Sequence, residues 1–324
     1  MVSIIILNWN GADDTIACLE SLSKLNVPHA AVVADNGSTD DSVSRINRWL
    51  DENVSAPNVK DYKVVELGKN YGFAVGNNKA LEVAMLDNPD YCMLLNNDTE
   101  VEPDMLEKLL DYAQANNDVK VLSPCICYHY DKNKVWFSGG KLKFGTRKNL
   151  FAEQSRESVG KVPFAISFVS GCALFFSTSL LNEKNELLSN DFFFGEEDYE
   201  FSLRMRNASV KMACVPSSVV YHKVSASQKK TKDSSGLGRV YMYYHNRLIC
   251  NRLYESRLKF YVICLLNSMT CLKYFRNYSG SLITAIRIVK KLMKDARVKN
   301  GFDYNDFQAL MFEHRYFDFD VKRK

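Results

Sequence analysis

The sequence lacks the features that mark secreted and membrane-spanning chains. Its nine cysteines form no Cys-x-x-Cys pair and mostly lie in apolar runs, which favours a reduced, cytosolic protein over a disulfide framework. The first residues carry no positive charge before a short apolar stretch, so we predict no signal peptide. The longest apolar segment, residues 260–272, is interrupted by polar residues and is shorter than the roughly 20 residues of a spanning helix.

Several nucleotide-binding and hydrolase motifs are also absent. No G-x-G-x-x-G follows a strand and no G-x-x-x-x-G-K-[ST] occurs, so the dinucleotide-binding and P-loop classes lose their main support. There is no G-x-S-x-G elbow and no H-E-x-x-H zinc motif. Without a glycine cradle, a bound diphosphate would have to be neutralised by a metal ion and basic side chains.

The sequence does have an ordinary globular composition and an uneven distribution of charge. Of 324 residues, 46% are hydrophobic and 25% are charged, which excludes disordered and fibrous classes. Residues 1–222 carry 21 basic and 30 acidic side chains, a net −9, whereas residues 223–324 carry 21 and 8, a net +13. The basic C-terminal third predicts an anionic partner for that part, either membrane phospholipid or nucleic acid.

The first half of the chain alternates short apolar runs with helical patterns. This alternation is typical of βαβ units and predicts an α/β fold with a mixed, mainly parallel sheet flanked by helices. The first helix is predicted to end near Asn26, and Ser38 and Thr39 to cap the second helix. The predicted strands of this half are VSIIIL, AAVVA, KVVEL, YCMLL and VKVLS.

The rest of the chain changes pattern twice. Residues 126–168 resemble a set of short antiparallel strands, and residues 239–299 are amphipathic and helical. We therefore predict three parts: a catalytic domain over residues 1–223, a flexible basic loop over residues 224–237, and a C-terminal amphipathic helical region over residues 238–324.

The string LLNNDTE ends a predicted strand in polar and acidic residues. Ligands of open parallel sheets bind outside the carboxyl ends of the strands, so Asp98 is placed where it would meet a substrate. One carboxylate together with substrate phosphates is a common arrangement for holding Mg²⁺. The same residues also suit a plain turn and helix entry before Pro103, and the pattern alone leaves both interpretations open.

A second acidic cluster lies in GEEDYEFSLR, where Glu196, Glu197, Asp198 and Glu200 fall within two helical turns. A carboxylate flanked by other carboxylates has a raised pKa, which suits a general base that takes a proton from a hydroxyl. The alternative is that these residues complement the helix dipole and that Glu200 pairs with Arg204. Four carboxylates exceed what a helix start requires.

Two more polar residues end predicted strands. His222 follows VVY and is a candidate third metal ligand beside the two acidic sites, or else a structural histidine. Asp35 follows VVA, where its carboxylate could accept hydrogen bonds from a base or a ribose. The alternative for Asp35 is an Asx turn in which Gly37 supplies the bend.

Taken together, these strings resemble the GT-A family 2 glycosyltransferases, especially their bacterial rhamnosyltransferase-like branch. The resemblance implies a GT-A (Rossmann-like) fold and an inverting, metal-dependent transfer of a sugar from a nucleotide-diphosphate donor. The implied donor is dTDP-rhamnose, with a UDP- or GDP-hexose or galactofuranose donor as the alternative. The matching strings span most of residues 2–248 in the family's order: IIILNWNGADDTIACLESL, VVADNGSTDDS, KNYGFAVGNNKAL, LLNNDTEVEP, FVSGCALFFS, FFFGEEDYEFSLRM, VVYH and YYHNRL.

The resemblance also implies roles for single residues. Asp98 lies in the string NND, which stands where the family has its DxD-type motif, and is implied to bind Mg²⁺ or Mn²⁺ with the donor diphosphate. His222 is implied to reach the metal or the diphosphate. Asp198 is implied to deprotonate the acceptor hydroxyl, with Glu197 as a second candidate that positions the acceptor. The implied contacts to the nucleotide sugar are Asn8, Asp35, Asn70, Asn96 and Asn97.

The acceptor expected with this resemblance is a saccharide or a lipid-linked saccharide in bacterial surface polysaccharide synthesis, and a lipid-linked acceptor would lie at the inner face of the cytoplasmic membrane. The basic helical region suits peripheral attachment to anionic lipid, or else its apolar residues pack as core. These apolar residues are Phe260, Tyr261, Leu265, Leu266, Tyr274 and Phe275.

Two further alternatives concern the basic segments. The loop with Lys229, Lys230 and Lys232 could close over the diphosphate, or be a solvated linker. A non-enzymatic nucleic-acid binder is suggested by the basic, aromatic-rich tail alone and leaves both acidic clusters unexplained. The sequence leaves the oligomeric state open.

Overall fold

The computed structural model shows a curved central sheet with helices on both faces and a bundle of helices from the C-terminal third. The described residues are 1–53, 57–224, 236–312 and 316–317. The predicted basic loop, with Lys229, Lys230 and Lys232, coincides at residues 225–235 with a stretch outside the described residues.

Ten of the strands in the described part of the chain form one sheet, in the order β10-β12-β6-β11-β4-β1-β2-β3, with β5 on β12 and β7 on β6. Strands β1 to β4 are parallel to their neighbours among themselves, and β11 runs antiparallel between β4 and β6. The strands are β1 (Val2–Asn8), β2 (His29–Asp35), β3 (Val59–Glu66), β4 (Tyr91–Asn96), β5 (Thr99–Val101), β6 (Val119–Tyr128), β7 (Val135–Phe137), β8 (Gly140–Lys143), β9 (Thr146–Asn149), β10 (Phe164–Ile166), β11 (Ala173–Ser177) and β12 (Lys211–His222).

The helices divide between the sheet and the C-terminal bundle. Helices α1 to α5 belong to the part of the chain that contains the sheet, which is called the body. Helix α6 packs on α5 and also contacts α7, α8 and α9. The helices are α1 (Ala12–Leu22), α2 (Ser42–Asn53), α3 (Gly72–Ala84), α4 (Met105–Ala115), α5 (Glu197–Asn207), α6 (Gly236–Tyr254), α7 (Arg257–Ser279), α8 (Leu282–Val298) and α9 (Tyr304–Met311). The predicted α/β class, with a mixed and mainly parallel sheet flanked by helices, is confirmed.

The first strand shows why the sheet is covered on both sides. Ile4 and Ile6 pack with α1, whereas Ile5 between them packs with α3 on the opposite face. A parallel strand buried on both faces needs an unbroken apolar run instead of an alternating one. The string VSIIIL meets that requirement, and its carboxyl end is therefore carried to the edge of the sheet where polar residues begin.

Two predicted helix boundaries are wrong. Helix α1 ends at Leu22 because the hydroxyls of Ser21 and Ser23 donate to main-chain carbonyls and compete with the helical pattern. Helix α2 is not capped by Ser38 and Thr39. It begins at Ser42, where the carboxylate of Asp40 accepts the amide hydrogen of Ser42 at 3.0 Å.

The C-terminal helices have a hydrophobic core of their own. Some of the apolar residues predicted for this region belong to that core, and others are exposed. Phe260 and Phe275 are buried in that core, whereas Tyr261, Leu265 and Leu266 are exposed. In the described part of the chain, no helix has the length and hydropathy needed to cross a membrane. All nine cysteines are free thiols.

Candidate active site

Two of the predicted nucleotide-binding residues meet where β1 and β2 end side by side. Asn8 and Asp35 are paired in the parallel register, and the Asn8 amide donates to Asp35 Oδ2 at 2.8 Å. Ser38 donates its hydroxyl to the same oxygen at 2.5 Å and its amide hydrogen to Oδ1 at 2.8 Å. Gly37 turns the chain with a φ of +77°. Asp35 therefore has the turn geometry of its alternative interpretation and also lies at the predicted strand end.

A hydroxyl joins this pair to the loop after β4. Thr15 donates to Asn8 Oδ1 at 2.8 Å and accepts from the Asn97 amide at 3.1 Å. A Cβ at Gly11 would lie 2.8 Å from that Asn97 nitrogen, so the bare backbone makes room for it. The structure therefore brings Asn97 to the ends of β1 and β2, as predicted from the carboxyl ends of parallel strands.

Asn70 and Asn96 are held at the same edge through different contacts. The carbonyl oxygen of the Asn70 side chain accepts from the Asn36 amide at 3.1 Å and from the Gly72 amide at 2.8 Å. Asn96 ends β4, and its main-chain amide donates to the carbonyl of Cys172 at 2.8 Å. All five predicted nucleotide-binding residues thus lie along one edge of the sheet.

Asp98 and His222 form a buried pair because β5, which follows Asp98, runs antiparallel to β12 with Thr99 opposite His222. Asp98 Oδ1 lies 3.1 Å from His222 Nε2, and the two residues are 4% and 7% exposed. Burial lowers the pKa of His222, but the neighbouring Cys172 and Asp98 outweigh it and raise that pKa to about 10. The pair is therefore charge-balanced, with an imidazolium beside a carboxylate.

The pair also has the chemistry of a site for a hard divalent cation. The Asp98 carboxylate is a ligand that Mg²⁺ and Mn²⁺ prefer, and His222 Nδ1 is buried without a hydrogen-bond partner, so His222 could serve as a second ligand after losing its proton. No group of three or more His, Cys, Asp or Glu side chains suited to a metal occurs among residues 1–53, 57–224, 236–312 and 316–317. Two protein ligands fit a cation that is completed by phosphate oxygens and water.

In the second acidic cluster, two of the four carboxylates have arginine partners among the described residues and two do not. Glu196 precedes α5 with a φ of +72° and is ion-paired with Arg147, at 2.8 Å, and with Arg247. Glu200 accepts from Arg204 Nε at 3.0 Å, as the alternative interpretation predicted, and also from the hydroxyl of Tyr254. Two of the four carboxylates are therefore structural.

Glu197 and Asp198 are the remaining two carboxylates and lie in the first turn of α5. Neither forms an ion pair within the described part of the chain, and Glu197 Oε2 is buried without a hydrogen-bond partner. Loss of solvent, with the charge of Asp198, raises the pKa of Glu197 to about 8. Loss of solvent also raises the pKa of Asp198, against the opposing charge of Arg147. These are the conditions under which a carboxyl group exchanges protons near neutral pH.

The loop before β11 connects the two acidic sites. A Cβ at Gly171 would lie 4.0 Å from the Cβ of Asp198, and the side chain of Cys172 lies beside His222. Ser202 fixes this loop to α5, since its hydroxyl donates to the Asp198 carbonyl and accepts from the Val169 amide. The predicted metal ligands and the predicted base therefore lie beside neighbouring residues of this loop, and the region around the loop is called the cleft.

Sequence reasoning missed the two arginines of this cleft. Arg147 lies in β9, within the segment where only antiparallel strands were predicted, and Arg247 lies in α6 within the string YYHNRL. Arg247 is 2% exposed, and its guanidinium carbon lies 4.3 Å from the centre of the Tyr199 ring. The string YYHNRL was part of the family resemblance, but no sequence spacing predicts that its arginine binds Glu196.

Comparison with known proteins agrees with this geometry. The family model described as "Glycosyl transferase family 2" matches residues 3–180. A search of curated proteins finds no match. A solved structure similar to the chain is the mannosyltransferase PcManGT from Pyrobaculum calidifontis in complex with GDP-Man and Mn²⁺, at 14% identity, with 92% of this chain and 86% of that chain covered and a TM-score of 0.54.

Two further solved structures are similar. One is TarS 1-349 of S. aureus in complex with UDP-GlcNAc, at 15% identity, 92% of this chain, 88% of that chain and a TM-score of 0.55. The other is GalNAc-T7 with UDP, GalNAc and Mn²⁺, at 14% identity, 95% of this chain, 56% of that chain and a TM-score of 0.55. At these identities the likeness shows the shared fold, which is the predicted GT-A fold.

Proposed function

The chain belongs to glycosyl transferase family 2, and on that premise we propose that it moves a sugar from a nucleoside-diphosphate sugar to a saccharide hydroxyl, with inversion. The observation that carries this proposal is the cleft with a charge-balanced Asp98–His222 pair on one side and the carboxyl groups of Glu197 and Asp198 on the other. One side suits binding of a cation and diphosphate, and the other suits proton transfer.

The donor would lie along the sheet edge. The proposed contacts to its nucleotide part are Asn8, Asp35, Asn70, Asn96 and Asn97, which the hydrogen bonds through Thr15 and Asn36 hold at the ends of β1, β2 and β4. The GDP-Man and UDP-GlcNAc of the similar mannosyltransferase and TarS structures support a nucleotide sugar as the donor class.

Asp98 and His222 would hold a divalent cation, Mg²⁺ or Mn²⁺. The Mn²⁺ in the similar mannosyltransferase and GalNAc-T7 structures supports such a cation. When bound, the cation would neutralise the negative charge that develops on the diphosphate as the sugar–phosphate bond breaks. The amide of Lys223 donates to the Asp98 carbonyl at 2.9 Å and so holds the main chain of Asp98 next to the end of β12.

Asp198 would take the proton of the acceptor hydroxyl while that oxygen bonds to the anomeric carbon and the diphosphate leaves from the opposite face. A single displacement of this kind inverts the anomeric configuration. Glu197 is the second candidate, as the residue that positions the acceptor. Its pKa of about 8 keeps it protonated at neutral pH, so it can donate a hydrogen bond to the acceptor.

The donor we propose is dTDP-rhamnose, on the resemblance of strings across residues 2–248 to the rhamnosyltransferase-like branch. A UDP- or GDP-hexose or galactofuranose donor is the alternative, favoured by the nucleotides of the similar solved structures. The test is a thermal-shift panel of dTDP, UDP, GDP, CDP and ADP, each with Mn²⁺ and with EDTA. A ligand at about 100 times its Kd adds about 2.7 kcal/mol, a shift of several degrees.

The panel separates the levels of the proposal. Metal-dependent stabilisation by dTDP supports the rhamnosyl donor, which transfer from dTDP-rhamnose to a lipid-linked saccharide then checks. Stabilisation by UDP or GDP instead replaces the donor and keeps the mechanism. No response to any nucleotide would contradict the proposed activity.

We further propose that the acceptor is a lipid-linked saccharide and that the chain attaches peripherally to the cytoplasmic face of the membrane. The support is an exposed apolar stripe on α7, whose members recur every three or four residues and so share one helix face. The stripe consists of Leu258, Tyr261, Val262, Leu265, Leu266 and Met269.

Exposed basic residues surround this stripe. Lys273 and Arg276 continue the same face of α7, and Lys290, Lys294 and Arg297 are exposed on α8, which packs against it. A second copy of this face would bring like charges together, whereas anionic lipid headgroups complement them.

Vesicle co-sedimentation tests the attachment. We expect binding to anionic vesicles, weak binding to neutral ones, and on the order of 10-fold less binding when Leu265 and Leu266 are both changed to Ser. Leu86→Ser, at an 80% exposed leucine of the body, is the matched control and should bind like the wild type. Equal binding to neutral and anionic vesicles would contradict the proposal.

A further inference from the structure

A cavity lies between the sheet edge and the C-terminal region. Its volume is about 840 Å³, within the usual range for small-molecule sites of roughly 300–1,000 Å³. One side is formed by the loops after β1, β2 and β3, including Trp9, Gly37 and Asn70. The other side is formed by residues 300–305, which include the end of the α8–α9 connection and the first residues of α9, together with the loop at residues 190–193.

We propose that residues 300–305 form a wall of the pocket for the nucleoside of the donor, so that the C-terminal helices help to determine which base is bound. This inference rests on the proposed donor class. It assigns a binding role to a segment outside residues 3–180, which the family model matches.

The wall is fixed against the body by close packing. A Cβ at Gly301 would overlap the carbonyl oxygen of Asp191, so only glycine allows this approach without a shift. The rings of Phe193 and Tyr304 meet edge to face with centres 5.6 Å apart. Phe193 in turn accepts the amide hydrogen of Phe73 at 3.0 Å, next to the loop after β3. Phe193 thus contacts both sides of the cavity and links them.

The wall is also anchored to the helices behind it. Arg252 on α6 donates to the carbonyl of Lys299 at 3.1 Å and to the Asn300 side chain at 2.9 Å. Phe302 is 3% exposed, and its ring centre lies 4.1 Å from that of His245. A segment held from both sides can keep a fixed shape toward a ligand, which is a condition for discrimination between bases.

The chemistry of the lining suits a nucleoside better than a phosphate. Tyr304 and Trp9, which are 47% and 45% exposed, line the cavity with aromatic rings on which a base can stack. Asp191 and Asp303 add carboxylates on the wall side, which accept hydrogen bonds from N–H groups and repel phosphate. The phosphates are therefore expected at the Asp98–His222 side, and the base here.

Calorimetric titration of the full chain with nucleoside diphosphates and Mn²⁺ tests the wall. We expect Tyr304→Ala to weaken nucleoside diphosphate binding by about 10-fold, because a stacking ring is lost. Binding of pyrophosphate with Mn²⁺ should not change. The control Tyr130→Ala removes an exposed tyrosine from the loop between β6 and β7 and should leave both affinities as in the wild type.

A second variant tests the same wall through its backbone. Gly301→Ala should also weaken the nucleoside diphosphate selectively, whereas Gly236→Ala, whose new methyl has no neighbour closer than 3.9 Å, should not. Unchanged nucleoside diphosphate affinity in Tyr304→Ala would overturn the inference, as would an equal loss for pyrophosphate. A loss confined to the nucleotide sugar would overturn the assignment to the nucleoside. A wild-type protein that binds no nucleotide would overturn the proposed donor class first, and the wall with it.

Discussion

The acidic residues on the two sides of the cleft differ in their ion-pair partners. At the strand ends, Asp98 has a cation beside it, the imidazolium of His222 at 3.1 Å. At the start of α5, neither Glu197 nor Asp198 forms an ion pair within the described residues, and the nearby arginines are ion-paired with Glu196. The difference arises from the ion-pair partners of each carboxylate.

This difference separates binding from proton transfer. The carboxylate of Asp98 beside His222 suits a metal and diphosphate, because an incoming cation can take the place of the proton on His222. At the start of α5, loss of solvent is the largest cause that raises the pKa of Glu197 and of Asp198, which suits a group that must gain and lose a proton. If the comparison is right, substitutions on the two sides should affect different steps of the reaction.

The largest effect is expected at the unbalanced side. Asp198→Asn removes the proposed base and should lower kcat by roughly 100- to 10,000-fold, because general base catalysis has about that size. Donor affinity should be unchanged, since Asp198 lies on the far side of the Gly171 loop from the Asp98–His222 pair. Initial rates together with calorimetric titration of the nucleoside diphosphate check both parts. A parallel loss of donor affinity would show that the two sides are not functionally separate.

The balanced side should respond in the opposite way. Asp98→Asn keeps the shape of the side chain but removes its charge, so donor binding with Mn²⁺ should weaken by at least about 10-fold, while binding in EDTA should not change. Asp118→Asn, at an exposed carboxylate paired with Lys211, is the control and should bind donor normally. An Asp98→Asn protein with wild-type metal dependence would contradict the proposed cation site.

The sequence predicts one side of this comparison better than the other. Asp98 and His222 could be found from the sequence because each follows an apolar strand, and the ends of neighbouring strands lie together. The pairing of β5 with β12, which brings the two within 3.1 Å, was not part of that prediction, because β5 is only three residues long. Short strands leave too little pattern to read.

The unbalanced side depends on contacts between distant parts of the chain. Arg147 and Arg247 form ion pairs with Glu196 and so determine that it is not one of the carboxylates without an ion pair. They lie 49 and 51 residues from Glu196 in sequence. Charge periodicity within α5 gives the Glu200–Arg204 pair and nothing about those arginines. The same limit applies to the wall at residues 300–305, whose neighbours come from three loops near the start of the chain.

The arginines allow a smaller test of the unbalanced side. Arg247→Lys keeps the positive charge but loses the guanidinium that binds Glu196 and Thr146, so the start of α5 should shift slightly. We expect kcat to fall by roughly 10-fold with KM for the donor unchanged, because small misplacements of a catalytic group are costly.

Arg206→Lys is the matched control for this change. Arg206 binds Glu255 at 3.0 Å and joins the other end of α5 to the end of α6, away from Asp198. Its replacement should leave kcat close to that of the wild type. Similar losses in both variants would mean that the packing of α6 on α5, and not the position of the acidic pair, determines the rate.

The smallest expected effect is on stability, and it follows from the raised pKa of Glu197. Its pKa is about 8 in the folded protein against 4.5 for the free side chain, so the folded state binds the proton more tightly. The stabilisation from protonated Glu197 is complete below pH 4.5 and is lost as the pH rises to about 8. Glu197→Gln should remove this loss and raise the Tm at pH 8 by about 2–5 °C.

The Tm of Glu197→Gln relative to wild type, measured from pH 5 to pH 8.5, distinguishes an unbalanced carboxyl pair from a balanced one. The difference should grow with pH, because only the wild type carries the uncompensated charge at the higher values. Glu196→Gln should show the reverse, a lower Tm at every pH in this range, since it leaves the charges of Arg147 and Arg247 without their partner. A pH-independent difference for Glu197→Gln would mean that this carboxyl is ionised and compensated in the folded state, and that the two sides of the cleft are balanced alike.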